Sequence, residues 1–179
     1  KKIYEESWVD EWYESKQQKQ EYRLKRGPAQ LKSFYEVVSK NPPRVKYLEQ
    51  FFKIALGPYK FVGKIDRIDE AGGGVAIVDY KTGQEPAKGL EKVDRDQLII
   101  YQIAAQEFFR QPVVSAKYWY LQPNSYSLEF VADAAQIKAM KDEYEAIIGS
   151  IVGTIKTDSF AVADAAKRHE CRYRQKGLT

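Results

Sequence analysis

Residues 59–83 read YKFVGKIDRIDEAGGGVAIVDYKTG and predict a β-hairpin. Two runs of β-prone residues flank three consecutive glycines, which are flexible enough for a tight reversal. If the reversal is centred between Gly72 and Gly73, Asp66 lies directly opposite Asp79, with Cβ atoms about 5 Å apart on one face of the sheet. A register shifted by one residue would place the two aspartates on opposite faces.

Two lysines belong to the same predicted hairpin. Lys81 follows Asp79 by two residues, so its side chain points to the same face of the sheet. Lys64 falls opposite Lys81 in this register, where it either lowers the pKa of Lys81 or presents positive charge to a phosphate. Two carboxylates and a lysine therefore converge in this interpretation.

Facing aspartates need a compensating cation, because like charges opposite each other destabilise a sheet. Carboxylate oxygens with positions left to water suit Mg²⁺ or Mn²⁺, and such an ion activates water and neutralises charge on a phosphate. A nearby lysine stabilises the transition state or acts on the attacking water. The alternative is an ordinary surface ion pair between Asp66 and Arg67 or Lys81. Spacing alone leaves both interpretations open.

The remaining chain alternates predicted helices and strands. Residues 1–26 carry Tyr4, Trp8 and Trp12 at four-residue spacing, which is typical of an amphipathic helix, and Gly27-Pro28 ends it. The other predicted elements are helices over 29–39, 94–110 and 133–152, a strand or short helix over 45–56, and strands over 59–69, 75–81, 113–121 and 126–131. The pattern indicates one α/β domain.

Composition restricts the possible sites. The 179 residues carry a net charge of +4, which is compatible with a polyanionic partner without requiring one. The one cysteine, Cys171, excludes an internal disulfide and a self-contained thiolate metal cluster. The one histidine, His169, excludes a multi-histidine site. Any metal must therefore be held mainly by oxygen.

Three ordered blocks resemble the RecB-type branch of the PD-(D/E)XK nuclease superfamily. Its patterns are G-x-x-D-R-I-D, D-Y-K-T-G and Q-L-x-x-Y, in that order. The matching segments are Gly63-Lys64-Ile65-Asp66-Arg67-Ile68-Asp69, Asp79-Tyr80-Lys81-Thr82-Gly83 and Gln97-Leu98-Ile99-Ile100-Tyr101. Residues 45–52, with Glu49 and Phe52, are similar to an E-x-x-F piece that precedes the first block.

The resemblance implies an α/β fold of the restriction-endonuclease-like kind, a mixed β-sheet flanked by α-helices. It implies Asp66, Asp79 and the backbone carbonyl of Tyr80 as ligands of Mg²⁺ or Mn²⁺. It also makes Lys81 the catalytic lysine beside the two aspartates. The expected cofactor is therefore a divalent cation.

The helix block of the resemblance adds two residues to the site. Gln97 and Tyr101 match residues that shape the active site or contact DNA in this branch. From the residues alone there is an equal alternative, in which Gln97 caps its helix or faces solvent and Tyr101 packs in the core. Arg67 and Asp69 are expected to be structural.

The chain departs from the branch in two respects. Relatives usually take a further metal ligand, a histidine, from a helix upstream of the strands, whereas His169 lies after the expected core. Since the chain begins at Lys1 without methionine, we expect that helix in a missing segment of a longer protein, or else a reduced site. Many relatives also hold an iron-sulfur cluster at a C-terminal cysteine group, and Cys171 alone predicts no iron-sulfur cluster here.

These observations lead to one expected organisation. We expect a single nuclease domain over 1–179, cut from a longer protein, with N-terminal helices in 1–40, a catalytic core in 45–131 and a C-terminal helix and basic tail in 133–179. The basic tail either contacts a DNA backbone or is a solvated face.

The expected function is metal-dependent hydrolysis of phosphodiester bonds in DNA. The resemblance implies exonuclease activity in DNA repair or recombination, a cytoplasmic location, no membrane, and a fused or associated superfamily 1 helicase of the UvrD/RecB-like kind. The alternative is a catalytically weakened nuclease-like module that binds DNA or docks a protein. Intact Asp66, Asp79 and Lys81 favour the enzyme, and the missing upstream histidine favours the alternative.

Overall fold

A computed structural model describes residues 2–9, 15–87, 89, 93–122 and 124–158. In these ranges the helices are α1 (Lys2–Glu6), α2 (Lys16–Glu21), α3 (Gly27–Lys40), α4 (Asp96–Glu107) and α5 (Ala134–Thr157), and the strands are β1 (Val45–Leu56), β2 (Tyr59–Ala71), β3 (Gly74–Lys81), β4 (Val113–Tyr120) and β5 (Ser125–Tyr126). Residues 45–56 are thus a strand rather than a short helix.

The strands form one mixed sheet in the order β1-β2-β3-β4-β5. Antiparallel bonds join β1 to β2, β2 to β3 and β4 to β5, whereas β3 and β4 are parallel. A parallel pair needs a crossover connection, and α4 lies in it. Every residue of α4 from Leu98 to Ala105 is buried, because α4 packs against both the sheet and α5. The expected mixed sheet flanked by helices is confirmed.

The hairpin of β2 and β3 turns where the sequence predicted. Its ladder pairs Ala71 with Gly74 and runs to Arg67 opposite Val78, so the reversal is centred between Gly72 and Gly73. Gly73 has a φ of 84°, a conformation that side chains with a Cβ rarely adopt. The predicted register is therefore confirmed over this ladder.

The predicted helix over 1–26 is wrong in two respects: α1 ends at Glu6 and a separate α2 begins after its cap at Ser15, and Gly27-Pro28 does not end a helix. A π-helical turn (Tyr22–Arg26) joins α2 to α3 without a break, and the amide of Gly27 bonds the Tyr22 carbonyl five residues earlier. This wider turn accommodates Pro28, which has no amide hydrogen to donate. The hydroxyl of Tyr4 lies 3.3 Å from the Tyr22 carbonyl and 3.1 Å from that of Arg23, so it donates to carbonyls of this turn.

The segment after β4 is less regular than the predicted strand over 126–131. Beyond Tyr126 the ladder is interrupted, because the amide of Tyr118 donates to the side-chain oxygen of Ser127 at 2.9 Å instead of to a backbone carbonyl. One isolated bridge, between Ala116 and Phe130, follows.

α5 is the longest helix in the described ranges. Its first turn is capped by Asp133, whose carboxylate accepts from the Gln136 amide at 2.8 Å, and it continues past the predicted end at 152. No helix in the described part of the chain has the length and apolarity needed to cross a bilayer.

The two long strands β1 and β2 each contain a break in side-chain alternation. Tyr47 stacks on Phe109 just beyond α4, and Phe52 contacts Tyr101 within α4, so both face the helices. Residues five apart point to opposite faces in a regular strand, so the alternation fails between them. Glu49 has a φ of 49° and provides the irregularity.

Candidate active site

Asp66 lies just beyond the β2–β3 ladder. The last paired residues of that ladder are Arg67 and Val78, and one residue further the Oδ2 of Asp66 accepts a 2.9 Å hydrogen bond from the backbone amide of Tyr80. The amide of Tyr80, which follows the last paired residues of β3, thus donates to a side chain of β2 instead of to a backbone carbonyl. This contact holds Asp66 beside the backbone that links Asp79 to Lys81.

The carboxylate of Asp79 is buried, with 3% of the residue exposed. Its Oδ2 lies 2.7 Å from the ammonium nitrogen of Lys81, but no described group donates to that oxygen with hydrogen-bond geometry. Burial raises the pKa of Asp79, and the charge of Asp66 raises it further, whereas Lys81 and the Tyr101 hydroxyl lower it. Ionised Asp79 therefore loses hydration free energy in this site.

Lys81 is fixed by three groups. Besides the ion pair with Asp79, its ammonium nitrogen donates a 2.6 Å hydrogen bond to Oε1 of Gln97. The same nitrogen lies 4.7 Å from the ring centroid of Tyr118, a cation–π distance. A third of the Lys81 side chain stays exposed, so the ammonium group remains accessible from solvent.

Gln97 and Tyr101 connect α4 to the carboxylates. The amide nitrogen of Gln97 donates to the Tyr101 hydroxyl at 2.8 Å, one helical turn further along. Burial, together with the charge of nearby Asp79, raises the pKa of Tyr101 to about 12. Polar contacts thus connect Asp79, Lys81, Gln97 and Tyr101 in that order.

Tyr101 fulfils both of the alternatives that the sequence left open. Its ring packs edge-on against Phe52 with centroids 6.1 Å apart, while its hydroxyl reaches the site. Phe52 pairs with Gly63, and a Cβ on Gly63 would lie 2.5 Å from the Phe52 ring. Glycine at this position therefore lets Phe52 lie against β2 and support Tyr101.

Lys64 is placed differently from the prediction. The β2–β3 ladder ends before Lys64 and Lys81 face each other, and Lys64 pairs with Phe51 of β1 instead. Its ammonium group forms an ion pair with Glu49. The predicted pairing of the two lysines is therefore wrong, because β2 loses its ladder to β3 at Asp66.

The opposite face of the sheet supports Tyr80. Arg67 is 5% exposed; its guanidinium donates to the Tyr80 hydroxyl at 2.6 Å and lies 3.0 Å from an oxygen of Asp69. The guanidinium carbon is 5.4 Å from the ring centroids of both Tyr80 and Trp119. Arg67 thus contacts Asp69 and Tyr80 on this face, and among the described ion pairs none joins Asp66 to Arg67 or Lys81.

α3 also reaches the end of β3. Gln30 is the buried residue of this helix, and its side-chain amide donates to the Thr82 carbonyl at 3.0 Å. Phe34, one turn later, packs edge-on against Tyr80 with centroids 5.6 Å apart. A helix upstream of the strands is therefore present beside the site, and it presents glutamine there.

The donor set fits a hard divalent cation. Asp66, Asp79 and the Tyr80 carbonyl supply oxygen only, and the buried Oδ2 of Asp79 lies 2.7 Å from the ammonium group of Lys81. In the same ranges no three acidic, histidine or cysteine side chains are grouped to hold a metal. A bound ion would complete its shell with water, as Mg²⁺ commonly does.

The sequence as a whole matches the profile of the PD-(D/E)XK nuclease superfamily over residues 1–175. This chain belongs to the PD-(D/E)XK nuclease superfamily. A search among curated proteins found no match. The superfamily match covers the N-terminal helices as well as the sheet, so the PD-(D/E)XK domain includes α3 and its contact with Thr82.

Residues that support the site on this PD-(D/E)XK fold include several without a sequence signal. Tyr118 was part of a β-prone run, and nothing in that run distinguished it from Tyr120. Gln30 was one polar residue in a predicted helix. Tyr118 can be assigned to the site only because it pairs with Asp79, and this pairing is known only once the parallel β3–β4 register is known. The basic tail, His169 and Cys171 lie outside the described residues, as does Trp12.

Proposed function

We propose that this chain is a metal-dependent nuclease that hydrolyses phosphodiester bonds in DNA. Membership of the PD-(D/E)XK superfamily supports nuclease activity. The observation that carries the proposal is the position of Lys81: its ammonium group is held 2.7 Å from Asp79 and 2.6 Å from Gln97 while a third of the side chain stays exposed.

The proposed metal ligands are Asp66, Asp79 and the backbone carbonyl of Tyr80. When bound there, Mg²⁺ or Mn²⁺ supplies Lewis acidity and lowers the pKa of a coordinated water. The hydrogen bond from the Tyr80 amide orients the Asp66 carboxylate. Burial keeps bulk solvent away from the Asp79 carboxylate, and a bound cation would share its Oδ2 with the ammonium group of Lys81.

Lys81 offsets the negative charge that develops on the phosphate during attack by water. A rigid cation performs this task without reorganising at the moment of reaction. Gln97 accepts from Lys81 and donates to Tyr101, so it fixes the direction of the ammonium group. Because the pKa of Tyr101 is raised to about 12, its hydroxyl stays protonated, and it accepts a hydrogen bond from Gln97 close to Asp79.

Further features of the proposal come from the resemblance to RecB-type sequences. They are exonuclease action in DNA repair or recombination, a cytoplasmic location, and a fused or associated superfamily 1 helicase. We also propose that residues 1–179 form one nuclease domain of a longer protein. The sequence blocks around Asp66, Asp79 and Gln97 support this assignment.

The test is incubation of linear single-stranded DNA, double-stranded DNA and RNA with the wild-type chain and with Asp79→Ala, in Mg²⁺, Mn²⁺ or EDTA. We expect metal-dependent shortening of DNA by the wild type and no shortening by the variant. End-labelled substrates distinguish exonuclease ladders from internal cuts. Equal degradation by both proteins, or none by either, would contradict the proposal and favour a binding module.

A further inference from the structure

We infer that Tyr118 is a positioning residue of the proposed active site, which holds the ammonium group of Lys81 through the face of its aromatic ring. This role rests on the proposed function and adds a residue to it. The observation that carries it is the distance of 4.7 Å between the Lys81 ammonium nitrogen and the centroid of the Tyr118 ring. A cation over an aromatic face at this distance is attracted by the ring quadrupole.

The pairing of β4 with β3 brings Tyr118 to this position. In the parallel register Asp79 lies beside Tyr118 and Lys81 lies beside Tyr120, so these side chains share one face of the sheet. The ammonium group of Lys81 is nevertheless found over Tyr118 and next to Asp79. The lysine side chain therefore leans back by one residue pair instead of extending past the end of β3.

The Tyr118 ring is itself held firmly. Only 4% of the residue is exposed. Its amide donates to the side-chain oxygen of Ser127 at 2.9 Å, and its carbonyl accepts from the amide of Ser127 at 3.0 Å. The ring packs edge-on against Tyr120 with centroids 6.4 Å apart. Tyr118 thus offers the ammonium group a surface that does not need to reorganise.

The three contacts of Lys81 differ in their response to a metal ion. The ammonium group would share Oδ2 of Asp79 with a bound cation, so this contact would weaken in the metal-bound enzyme. The face of an aromatic ring is no ligand for a hard divalent cation, which prefers oxygen. Tyr118, together with Gln97, would therefore keep Lys81 in place when the charge of Asp79 is neutralised.

Lys81 has another position available if the ring is removed. A third of its side chain is exposed, and an ammonium group on a flexible stem is readily hydrated. Truncation of Tyr118 should therefore let the ammonium group move into solvent. The loss should appear in the cleavage rate rather than in DNA binding, because Lys81 acts on charge that develops in the transition state.

The first test uses the metal-free chain in EDTA and requires no cleavage. In protein labelled with ¹³C at lysine, the ε-methylene protons of Lys81 should resonate upfield of those of exposed lysines, because a neighbouring ring face shields them. The signal is assigned by its loss in Lys81→Arg. Tyr118→Phe should keep the upfield shift, and Tyr118→Leu should abolish it. A wild-type Lys81 signal at the position of exposed lysines would overturn the inference.

The second test measures single-turnover cleavage of DNA in Mg²⁺. Tyr118→Leu should lower the rate about tenfold or more, with the DNA concentration for half-maximal rate little changed. Tyr118→Phe keeps the ring and should restore the rate to within about threefold of the wild type.

Fluorinated rings separate the attraction for a cation from packing. Phenylalanine carrying two and then three ring fluorines at position 118 should lower the rate stepwise below that of Tyr118→Phe, because fluorine nearly keeps the ring shape but withdraws charge from its face. Equal rates for the phenylalanine and its fluorinated forms would overturn the inference. This comparison does not depend on the folding of Tyr118→Leu.

The matched control is Tyr126→Leu. Lys117 lies 4.9 Å from the centroid of the Tyr126 ring, so this variant removes a lysine–tyrosine contact of the same kind. Lys117 precedes Tyr118 by one residue in β4 and therefore lies on the opposite face of the sheet. Tyr126→Leu should cleave at the wild-type rate. An equal loss in Tyr126→Leu and Tyr118→Leu would overturn the inference in favour of a general effect on folding.

Failure of this inference and failure of the proposed function are distinguishable. If the wild type cleaves DNA and the Tyr118 variants cleave equally fast, only the role of Tyr118 is wrong. If the wild type never cleaves but the Lys81 signal moves as expected in Tyr118→Leu, the contact holds Lys81 and the nuclease activity is wrong.

Discussion

The ammonium group of Lys81 donates a 2.6 Å hydrogen bond to the side-chain carbonyl of Gln97, which joins the end of β3 to the first turn of α4. The other end of the same amide donates to Tyr101, so Gln97 cannot rotate without losing one of the two bonds. The side chain of Lys81 has four rotatable bonds, and these contacts restrict its ammonium group to one direction.

The first prediction concerns this restriction. Gln97→Met keeps the length of the side chain but removes both hydrogen bonds, so we expect kcat for DNA cleavage to fall about tenfold or more with KM little changed. Steady-state kinetics on a linear substrate measure it. Gln106→Ala, on the same helix, is the control and should match the wild type. A rise in KM with kcat unchanged would mean that Gln97 binds DNA directly.

The second prediction uses the raised pKa of Asp79. Because burial favours the protonated form in the folded protein, wild-type stability falls as pH rises from 3.8 through the raised pKa. Asparagine does not ionise, so Asp79→Asn does not lose stability in this way as the pH rises. In EDTA its Tm should therefore exceed that of the wild type at pH 7, and the difference should shrink towards pH 4. Calorimetry at several pH values measures this, and a variant less stable at pH 7 would refute it.

The third prediction concerns the contact between Gly63 and Phe52. A Cβ on Gly63 would lie 2.5 Å from the Phe52 ring, so Gly63→Ala should lower the free energy of unfolding by about 1–3 kcal/mol. Displacement of Phe52 should also disturb Tyr101 and reduce cleavage. Gly72→Ala is the control, since nothing lies within 4 Å of a Cβ there. Urea denaturation distinguishes them, and equal stability of both variants would count against the packing described.

The fourth prediction concerns Arg67 on the opposite face. Arg67→Met leaves the partly buried Asp69 without its ion-pair partner, so we expect a loss of about 2–4 kcal/mol in unfolding free energy. The double variant Arg67→Met/Asp69→Leu should recover much of that loss, because no unpaired charge remains. A double-mutant cycle by urea denaturation measures the coupling. Additive losses would indicate that the ion pair is not the source of the effect.

The sequence predicted the β2–β3 hairpin well because its turn is local. Three glycines at residues 72–74 centre the reversal, and pairing from Ala71 to Arg67 follows from that centre. The same reasoning failed at Lys64, because the ladder stops at Asp66. Beyond the ladder the amide of Tyr80 bonds the side chain of Asp66, and no alternation pattern within β2 reveals this.

Long-range contacts explain what else the sequence could not give. Tyr118 lies beneath Lys81 only because β3 and β4 pair in parallel in one register. The continuation of α2 into α3 depends on a π-helical turn and on the hydroxyl of Tyr4, which is 18 residues away from Tyr22. Local propensity for Gly27-Pro28 favours a helix end, and tertiary contacts override it.

Catalysis of phosphodiester hydrolysis by Asp79 and its neighbours is tested by the single-turnover cleavage rate of Asp79→Asn against wild type in Mg²⁺, because this variant keeps the shape of the side chain and is expected to remain folded. We expect a rate at least about 100-fold lower, with oligonucleotide affinity in EDTA close to that of the wild type. Cleavage within a few fold of the wild-type rate would contradict it.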